Sequence, residues 1–199
     1  MKRYLLLFLI LSSCAITNSG PDLIVNKNFE HKGIQRIAVL MFDTTWGESL
    51  EPKFSLSKLI AVPNAGSILA NITALQMSKW GRYAVLDRRD LEKQLLSLNL
   101  REEEILRDPD YEKLGRSLGV DALVVGDIEK FGVSYKKLFG KFASAIHSQV
   151  SFRVNCIDVI TNETVWSMAV KGSSGELNER AFASVLVAKA LENLAKEID

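Results

Sequence analysis

Hydrophobic and polar residues follow three patterns along this chain, and each pattern predicts one kind of element. Short continuous apolar runs at 35–42 and 120–126 predict strands that are buried on both faces of a sheet. Apolar residues at three- and four-residue steps predict a helix at 64–79, with Asn64 as its N-cap and Gly81 in the position of a left-handed C-cap. The same steps predict a helix at 177–198, whose apolar stripe is reinforced by Val185. Strict alternation at 142–156 predicts a strand with one face in a core and one in water, and the same alternation also fits a lipid-facing strand of a barrel.

The centre of the chain holds shorter elements that are bounded by capping residues. Residues 83–86 predict a short strand, and Asp87 is placed to cap the helix that follows. Asp108-Pro109 is predicted to open another helix, because the first position of a helix does not need the N–H that proline lacks. The charged run at 101–104 between them is predicted to be a solvated face or a loop.

The first 14 residues, MKRYLLLFLILSSC, have the layout of an export signal. A basic start precedes an apolar run, 4–11, that is far shorter than the ~20 residues a membrane-spanning helix needs. Leu-Ser-Ser-Cys then resembles the bacterial lipobox, in which a peptidase cleaves before a cysteine that carries diacylglycerol. We expect residues 1–13 to be a lipoprotein signal peptide and Cys14 to be the acylated first residue. An ordinary secretory signal or a buried strand is the alternative, and either would leave Cys14 a free thiol.

Behind Cys14, residues 14–33 are predicted to be a lipidated tether and residues 34–199 a single domain. The tether prediction depends on the Ser- and Gly-containing stretch 17–21 and on polar residues that follow, and it treats His31 as solvated. Without residues 1–13 the chain has 23 basic and 24 acidic side chains, because only Lys2 and Arg3 are lost from 25 and 24. A near-neutral chain gives no electrostatic reason to expect nucleic acid as a partner.

Residues 43–63 show no convincing periodicity, and irregular connections of this length are often functional. Trp46 and Phe54 lie among its polar residues, and aromatic side chains dominate binding hot spots. We therefore treat Trp46 and Phe54 as candidate partner-binding residues. An equally good interpretation is that both side chains fold back over the edge of the core.

Residues with catalytic or metal-binding chemistry are sparse. His31 and His147 are far apart in the sequence, and neither has the neighbours that metal ligation uses. Cys156 is the one cysteine left after acylation of Cys14, so it is expected in the core and not in a disulfide. The charges at 87–90 are more typical of a helix cap and a solvated face than of an acid/base pair. No catalytic residue, metal or cofactor is therefore expected, and the chain is interpreted as a non-enzyme.

The serial order of these elements, from about Arg36 to Ala195, resembles the CsgG family. The matching features are Arg88 after the second strand, Gly-Val-Asp-Ala at 119–122 before Gly126, and the Asp158…Thr161-Asn162-Glu163 turn. The family includes the curli-secretion channel lipoprotein and is related to LpoB, an outer-membrane lipoprotein that activates a penicillin-binding protein. The resemblance implies an α/β fold like the N-terminal domain of TolB, a mixed β-sheet with helices packed on it.

Residues 128–167 distinguish the two branches of that resemblance. The secretion channel uses two long hairpins per subunit to enter the outer membrane, whereas this stretch offers one short hairpin with Glu129, Lys130, Lys136 and Lys137 on its first strand. We therefore expect a soluble domain with a β-meander.

The expected protein is a non-catalytic binding or assembly factor, anchored by lipid to the periplasmic face of the outer membrane. The outer membrane is favoured by analogy, because Ala15 replaces the aspartate that marks inner-membrane retention. Its partner would be an envelope protein, a peptidoglycan synthase or a secretion apparatus, and it is a possible homo-oligomer. The alternative is an oligomeric curli-type secretion-channel component in the outer membrane.

Overall fold

A computed structural model of the chain describes residues 17–44, 57–107, 109–137, 143–175 and 178–198. Within these ranges an eight-stranded mixed sheet carries helices on both faces, which confirms the expected α/β fold class. The strands are β1 (Thr17–Val25), β2 (Arg36–Val39), β3 (Asp43–Thr44), β4 (Ser57–Ala61), β5 (Ala84–Val85), β6 (Ala122–Lys137), β7 (Ala143–Asp158) and β8 (Thr164–Ser174). The α-helices are α1 (Ala65–Trp80), α2 (Arg88–Ser97), α3 (Glu102–Arg107), α4 (Tyr111–Leu118) and α5 (Glu179–Ile198), and a 3-10 turn spans His31–Gly33.

The sheet joins a small parallel part to a long antiparallel part. Its strand order is β1-β8-β7-β6-β2-β5, with β2 parallel to both β5 and β6. The strands β6, β7, β8 and β1 form antiparallel pairs in that order, so the expected meander is present. The short strands β3 and β4 both pair with β6, β3 in parallel and β4 antiparallel.

Helices cover both faces of the sheet around β2, and this explains the continuous apolar run there. Ile37 and Val39 belong to the core under α1 and α5, whereas Ala38 and Leu40 belong to the core under α2, α3 and α4. We call the first face the inner face and the second the outer face. Large side chains that are fully buried in the inner core are Phe42, Leu69, Phe131, Phe152 and Trp166.

The prediction of a flexible tether is wrong for Thr17–Val25. This segment is β1, the edge strand, and it pairs with β8 from Thr17 opposite Ser173 to Val25 opposite Trp166. The register shifts at residues 20–21, where Gly-Pro lies, because proline has no N–H for the ladder. The polar composition of this segment led to the wrong prediction, because pairing between strands depends on backbone N–H and C=O groups, which do not depend on side-chain polarity.

Several local predictions also needed correction. Glu102–Arg107 is a helix, so the loop alternative for 101–104 is wrong, whereas the solvated-face alternative holds for the exposed Glu103 and Glu104. Helix α4 begins at Tyr111 with the Asp110 side chain as its cap, not at Pro109. His31 is half-buried, with Nε2 2.9 Å from the carbonyl oxygen of Asn26, so it is not simply solvated. Val185 is 58% exposed and does not widen the buried face of α5. None of the helices in the described ranges has the length and apolar content that crossing a membrane requires.

Candidate functional site

A cavity of about 570 Å³ opens at the carboxyl end of β2. Its walls are residues 41–44 after β2, the first turn of α1, and Glu103 and Arg107 of α3. The first turn of α1 packs closely against the backbone of Phe42 because residue 66 is glycine. A Cβ on Gly66 would lie 2.3 Å from the carbonyl oxygen of Phe42, so a larger residue would push α1 away.

The start of α1 at this cavity is built differently from the expected cap. Asn64 stands at the N-cap position, but its backbone is left-handed (φ 56°) and its side chain accepts no capping hydrogen bond. The other end of α1 matches the expectation, since Gly81 is left-handed (φ 75°) and donates its N–H to Met77. The first N–H groups of α1 therefore have no side-chain acceptor from Asn64.

An ion pair between Arg88 and Glu102 holds the elements beside this cavity. The Arg88 guanidinium donates to both Glu102 carboxylate oxygens, to the carbonyl oxygen of Val39 at 2.7 Å and to Oδ1 of Asn71 at 3.2 Å. Both side chains are about nine-tenths buried. Arg88 thus links α2 to α1, α3 and the end of β2. The role of this pair is to position the elements, because its polar atoms are already engaged with one another.

The remaining charges at residues 87–90 behave as the sequence indicates. Asp87 caps α2 by accepting a hydrogen bond from the N–H of Arg89 at 2.9 Å. Asp90 forms an exposed pair with Lys93 at 3.0 Å. The cap-and-surface interpretation is confirmed for both aspartates. Sequence reasoning missed Glu102, whose partner Arg88 is 14 positions away, and no periodic signal marks such a pair.

Two carboxylates lie side by side where β3 meets β6. Asp43 is directly opposite Asp127, and Arg153 on β7 is opposite Asp127 on the other side. Burial, and then repulsion by Asp43, raise the pKa of Asp127, whereas Arg153 acts to lower it. Burial also raises the pKa of the Tyr111 hydroxyl, and the charge of Asp127 adds to that rise. This row marks the point where the helix-covered outer face ends.

On β7, β8 and the second half of β6 the outer face of the sheet is polar. The Ser151 hydroxyl donates to Glu129 at 2.7 Å, and Lys171 lies 3.8 Å from the same carboxylate. Ile24 of β1 stands on this face with 71% of its side-chain surface exposed. Polar or charged side chains from β6, β7 and β8 share the face: Glu129, Ser151, Arg153, Asn155, Ser167 and Lys171. These side chains place hydrogen-bonding and charged groups on the outer face of the sheet.

The candidate site residues Cys14, Trp46 and Phe54 lie outside the described residues. The description begins three positions after Cys14. Trp46 and Phe54 belong to residues 45–56, which connect β3 to β4. The described residues on either side are Thr44, which is opposite Ile128, and Ser57, which is opposite Lys136.

The sulfur and metal predictions can be compared with the described ranges. Cys156 is fully buried, as expected, and its burial raises the pKa of the thiol far above the ordinary value. A buried, protonated thiol is a poor nucleophile. Across the described ranges, no group of three or more His, Cys, Asp or Glu residues is arranged to hold a metal ion.

Comparisons with known proteins found similarity in structure only. No protein-family model and no curated protein sequence matches this chain. Lipoprotein GNA1162 from Neisseria meningitidis is 17% identical with a TM-score of 0.55, and the match covers 81% of this chain and 99% of that one. A PelC variant from Paraburkholderia phytofirmans, solved as a dodecamer, is 16% identical with a TM-score of 0.52, and the match covers 92% and 98%.

A third solved structure, the C-terminal domain of LpoB from Salmonella enterica, is more distant. It is 12% identical with a TM-score of 0.38, and the match covers 73% of this chain and 98% of that one. A likeness this weak supports no conclusion. The lipoprotein from Neisseria and PelC show that this chain shares their fold over most of its length.

Proposed function

We propose that this chain is a lipid-anchored lipoprotein of the bacterial envelope that binds a partner and catalyses no reaction. The observation that carries the proposal is the short sequence separation between the lipobox and the first strand of the sheet. Cys14 precedes the first residue of β1, Thr17, by three positions. An acyl chain on Cys14 would therefore hold the folded domain close to the membrane, because only Ala15 and Ile16 lie between Cys14 and β1.

The surroundings of the cavity support a binding role over catalysis. Arg88 and Glu102, beside the cavity, are engaged with each other. The charged residues on the cavity wall itself are Asp43, Glu103 and Arg107. The cavity walls offer charge and shape, which are the requirements of recognition.

The proposed partner is an envelope protein, such as a peptidoglycan synthase or a component of a secretion apparatus, with the periplasmic face of the outer membrane as the location. Membership of the CsgG family and an LpoB-like role remain part of this proposal, on the residues that carry the resemblance. The proposal also includes self-association of this chain, and the dodecameric PelC structure supports this part of it. The second candidate, an oligomeric secretion-channel component, is favoured by that same observation, and rings that require detergent would distinguish it.

The anchor is tested by comparing the two cysteines. Cys14→Ser should replace the acylated, membrane-associated product by a form that carries no acyl chain and retains residues 1–13, because the acyl acceptor is lost. Cys156→Ala serves as the matched control, since its thiol is buried in the core, and it should leave fractionation unchanged. Equal membrane association of the Cys14→Ser and native chains, both processed to the same size, would contradict the proposal.

Partner capture is tested at the candidate aromatic residues. Replacing Trp46 and Phe54 with alanine should weaken cross-linking to an identified envelope protein and leave the melting temperature little changed. Leu96→Ala with Leu98→Ala is the control, because both leucines are exposed on or beside α2, at 69% and 42%. A large fall in melting temperature for the Trp46 and Phe54 variant would assign these residues to the core instead.

A further inference from the structure

The sheet ends at a free edge that lies between two helices. β5 is the last strand in the order and pairs with β2, and no strand in the described ranges pairs with the other side of β5. α1 packs on the inner face of the sheet and α2 on the outer face. The free edge of β5 is therefore at the base of a cleft whose two walls are helices.

This cleft, which we call the β5 cleft, is a cavity of about 490 Å³. Leu75 and Ser78 of α1 line one wall, Arg89 and Glu92 of α2 line the other, and Val85 of β5 lies between them. None of these residues lines the larger cavity at the end of β2, so the two sites are separate.

A hydrogen bond joins the two walls of the β5 cleft. Arg88 donates from Nε to Oδ1 of Asn71 at 3.2 Å, and both residues line the cleft. Arg88 is itself fixed by its ion pair with Glu102. The spacing of α1 and α2 is therefore set within the folded chain, and a ligand does not have to order the walls when it binds.

The backbone at the base of the cleft specifies the kind of ligand. The N–H groups of Ala84 and Leu86 donate to the carbonyl oxygens of Gln35 at 2.7 Å and Ile37 at 2.8 Å, so both point towards β2. Backbone groups of successive residues in a strand point to opposite sides, and Val85 therefore directs its N–H and C=O into the cleft. A donor and an acceptor side by side on an edge strand are the groups with which another strand pairs.

The side chains of the walls add apolar and charged contacts. Leu75 is 55% exposed and Val85 is half-buried, so an apolar side chain that enters the cleft gains contact with both. Arg89 and Glu92 are exposed and form no ion pair within the described ranges. A ligand with an acidic side chain near Arg89 and a basic side chain near Glu92 would complement these charges.

The walls also determine which strand can enter. The β5 edge of a second copy is flanked by the same two helices, so pairing of two β5 edges would bring α1 against α1 and α2 against α2. Paired strands lie about 4.8 Å apart, whereas a helix with its side chains is about 10 Å across. The helices would therefore collide before the strands could pair. A single extended segment carries no such helices and fits between the walls.

We infer that the β5 cleft binds an extended segment of the envelope partner by strand addition. The segment lies beside β5 as one more strand, exchanges hydrogen bonds with Val85 and places an apolar side chain against Leu75. This inference deepens the proposed function and rests on it, since the partner is the one that the anchored chain is proposed to bind.

Photo-cross-linking of the native full chain in intact envelopes tests the contact. p-Benzoylphenylalanine replaces Ser78 on the wall of the cleft or, as the control, Ser97 at the end of α2, since both serines are exposed and Ser97 does not line the cleft. Mass spectrometry then identifies the cross-linked polypeptide and the residues that are joined. Position 78 should cross-link to one segment of another envelope polypeptide, with a yield several-fold higher than at position 97.

Val85→Pro tests the backbone contact. Proline removes the N–H that points into the cleft and leaves the hydrogen bonds of Ala84 and Leu86 in place. Val85→Ala is the matched control, because it also shortens the side chain but keeps the N–H. Cross-linking from position 78 should fall about tenfold in Val85→Pro and less than about twofold in Val85→Ala, since only proline leaves a carbonyl of the partner unpaired. The two variants should have similar melting temperatures.

A charge exchange gives a second test that leaves the strand unaltered. Arg89→Glu with Glu92→Arg should lower cross-linking from position 78 several-fold, because both charges on the wall are reversed. Asp90→Lys with Lys93→Asp is the matched control on the same helix. Those two residues are exposed and pair with each other at 3.0 Å, so their exchange should leave the cross-linking unchanged.

Four outcomes would overturn the inference. The first is equal cross-linking at positions 78 and 97, and the second is cross-linking at position 78 that neither Val85→Pro nor the charge exchange lowers. The third is a product that joins position 78 to a second copy of this chain. The fourth is a partner that cross-links from position 97 and not from position 78, which would leave the proposed binding of an envelope partner intact. No partner at either position would also overturn the inference, and the alanine variants of Trp46 and Phe54 would still test the proposed function.

Discussion

The two halves of β6 belong to the same strand but have different surroundings. Residues 122–126 lie under helices on both faces and are all buried, from Ala122 to Gly126. Residues 129–137 have the polar outer face on one side and end in two lysines. Burial on both faces demands a continuous apolar run, whereas an uncovered face permits charge. The covered half should therefore determine stability, and the open half should determine contacts with other molecules.

The largest effect is expected in the covered half. Trp166 is fully buried in the inner core, and Trp166→Ala should lower the free energy of unfolding by about 3–5 kcal/mol, because it removes a large side chain and leaves a cavity. Urea denaturation measures the loss. Ile160→Ala is the matched control at a 76% exposed position and should cost less than about 0.5 kcal/mol. Similar losses in the two variants would show that Trp166 is not a core residue.

The buried ion pair should come next. Glu102→Ala leaves the Arg88 guanidinium buried without its carboxylate, and the loss of unfolding free energy should be about 3 kcal/mol. Replacing the pair together, with Arg88→Met and Glu102→Leu, should recover most of that loss in the same denaturation experiment. Glu103→Ala is the neighbouring exposed control. A loss for Glu102→Ala no greater than that of Glu103→Ala would contradict the positioning role of the pair.

A smaller effect is expected where β4 pairs with the open half of β6. A Cβ at Gly132 would lie 2.1 Å from the carbonyl oxygen of Ile60, and backbone cannot move aside as a side chain can. Gly132→Ala should therefore displace β4 and cost about 1–3 kcal/mol. Gly33→Ala is the control, since nothing lies within 4 Å of its added Cβ. Unchanged stability and unchanged amide-exchange protection of β4 would show that β4 is not held here.

The smallest effect is a pH-dependent one at the boundary between the halves. The folded chain raises the pKa of Asp127, so it binds a proton more readily than the unfolded chain. The charged carboxylate therefore costs stability, and this cost grows as the pH rises from the ordinary pKa through the raised pKa. Asp127→Asn should raise the melting temperature slightly at pH 7, and the gain should shrink as the pH falls through the raised pKa towards the ordinary value. A lower melting temperature of Asp127→Asn at pH 7 would mean that the attraction between Asp127 and Arg153 outweighs the cost of burial and the repulsion by Asp43.

The sequence predicted the covered half well because periodicity reports burial. The apolar stripes of α1 and α5 and the runs of β2 and β6 each follow from one buried face or two, and the helix caps at Asp87 and Gly81 follow from local backbone chemistry. Asn162 is left-handed (φ 57°), as its place in the turn after Asp158 indicates. Such signals lie within a few residues of the structure they predict.

The open half and the site were harder because their determinants are distant in the sequence. β1 is stabilised by backbone pairs with β8, nearly 150 residues away, and its polar side chains give no sign of this. Glu102 was assigned to a solvated run because its burial depends on Arg88 from another helix. The cavity is formed by three separate segments, 41–44, 62–67 and 103–107, so no local pattern marks it.

The central claim is that the folded domain begins almost at a lipid-bearing cysteine. Intact mass spectrometry of the protein purified from envelopes tests it most directly. The expected product starts at Cys14 and carries diacylglycerol on sulfur with a further acyl group on its amine. A product that retains residues 1–13, or that starts elsewhere with Cys14 unmodified, would contradict the account.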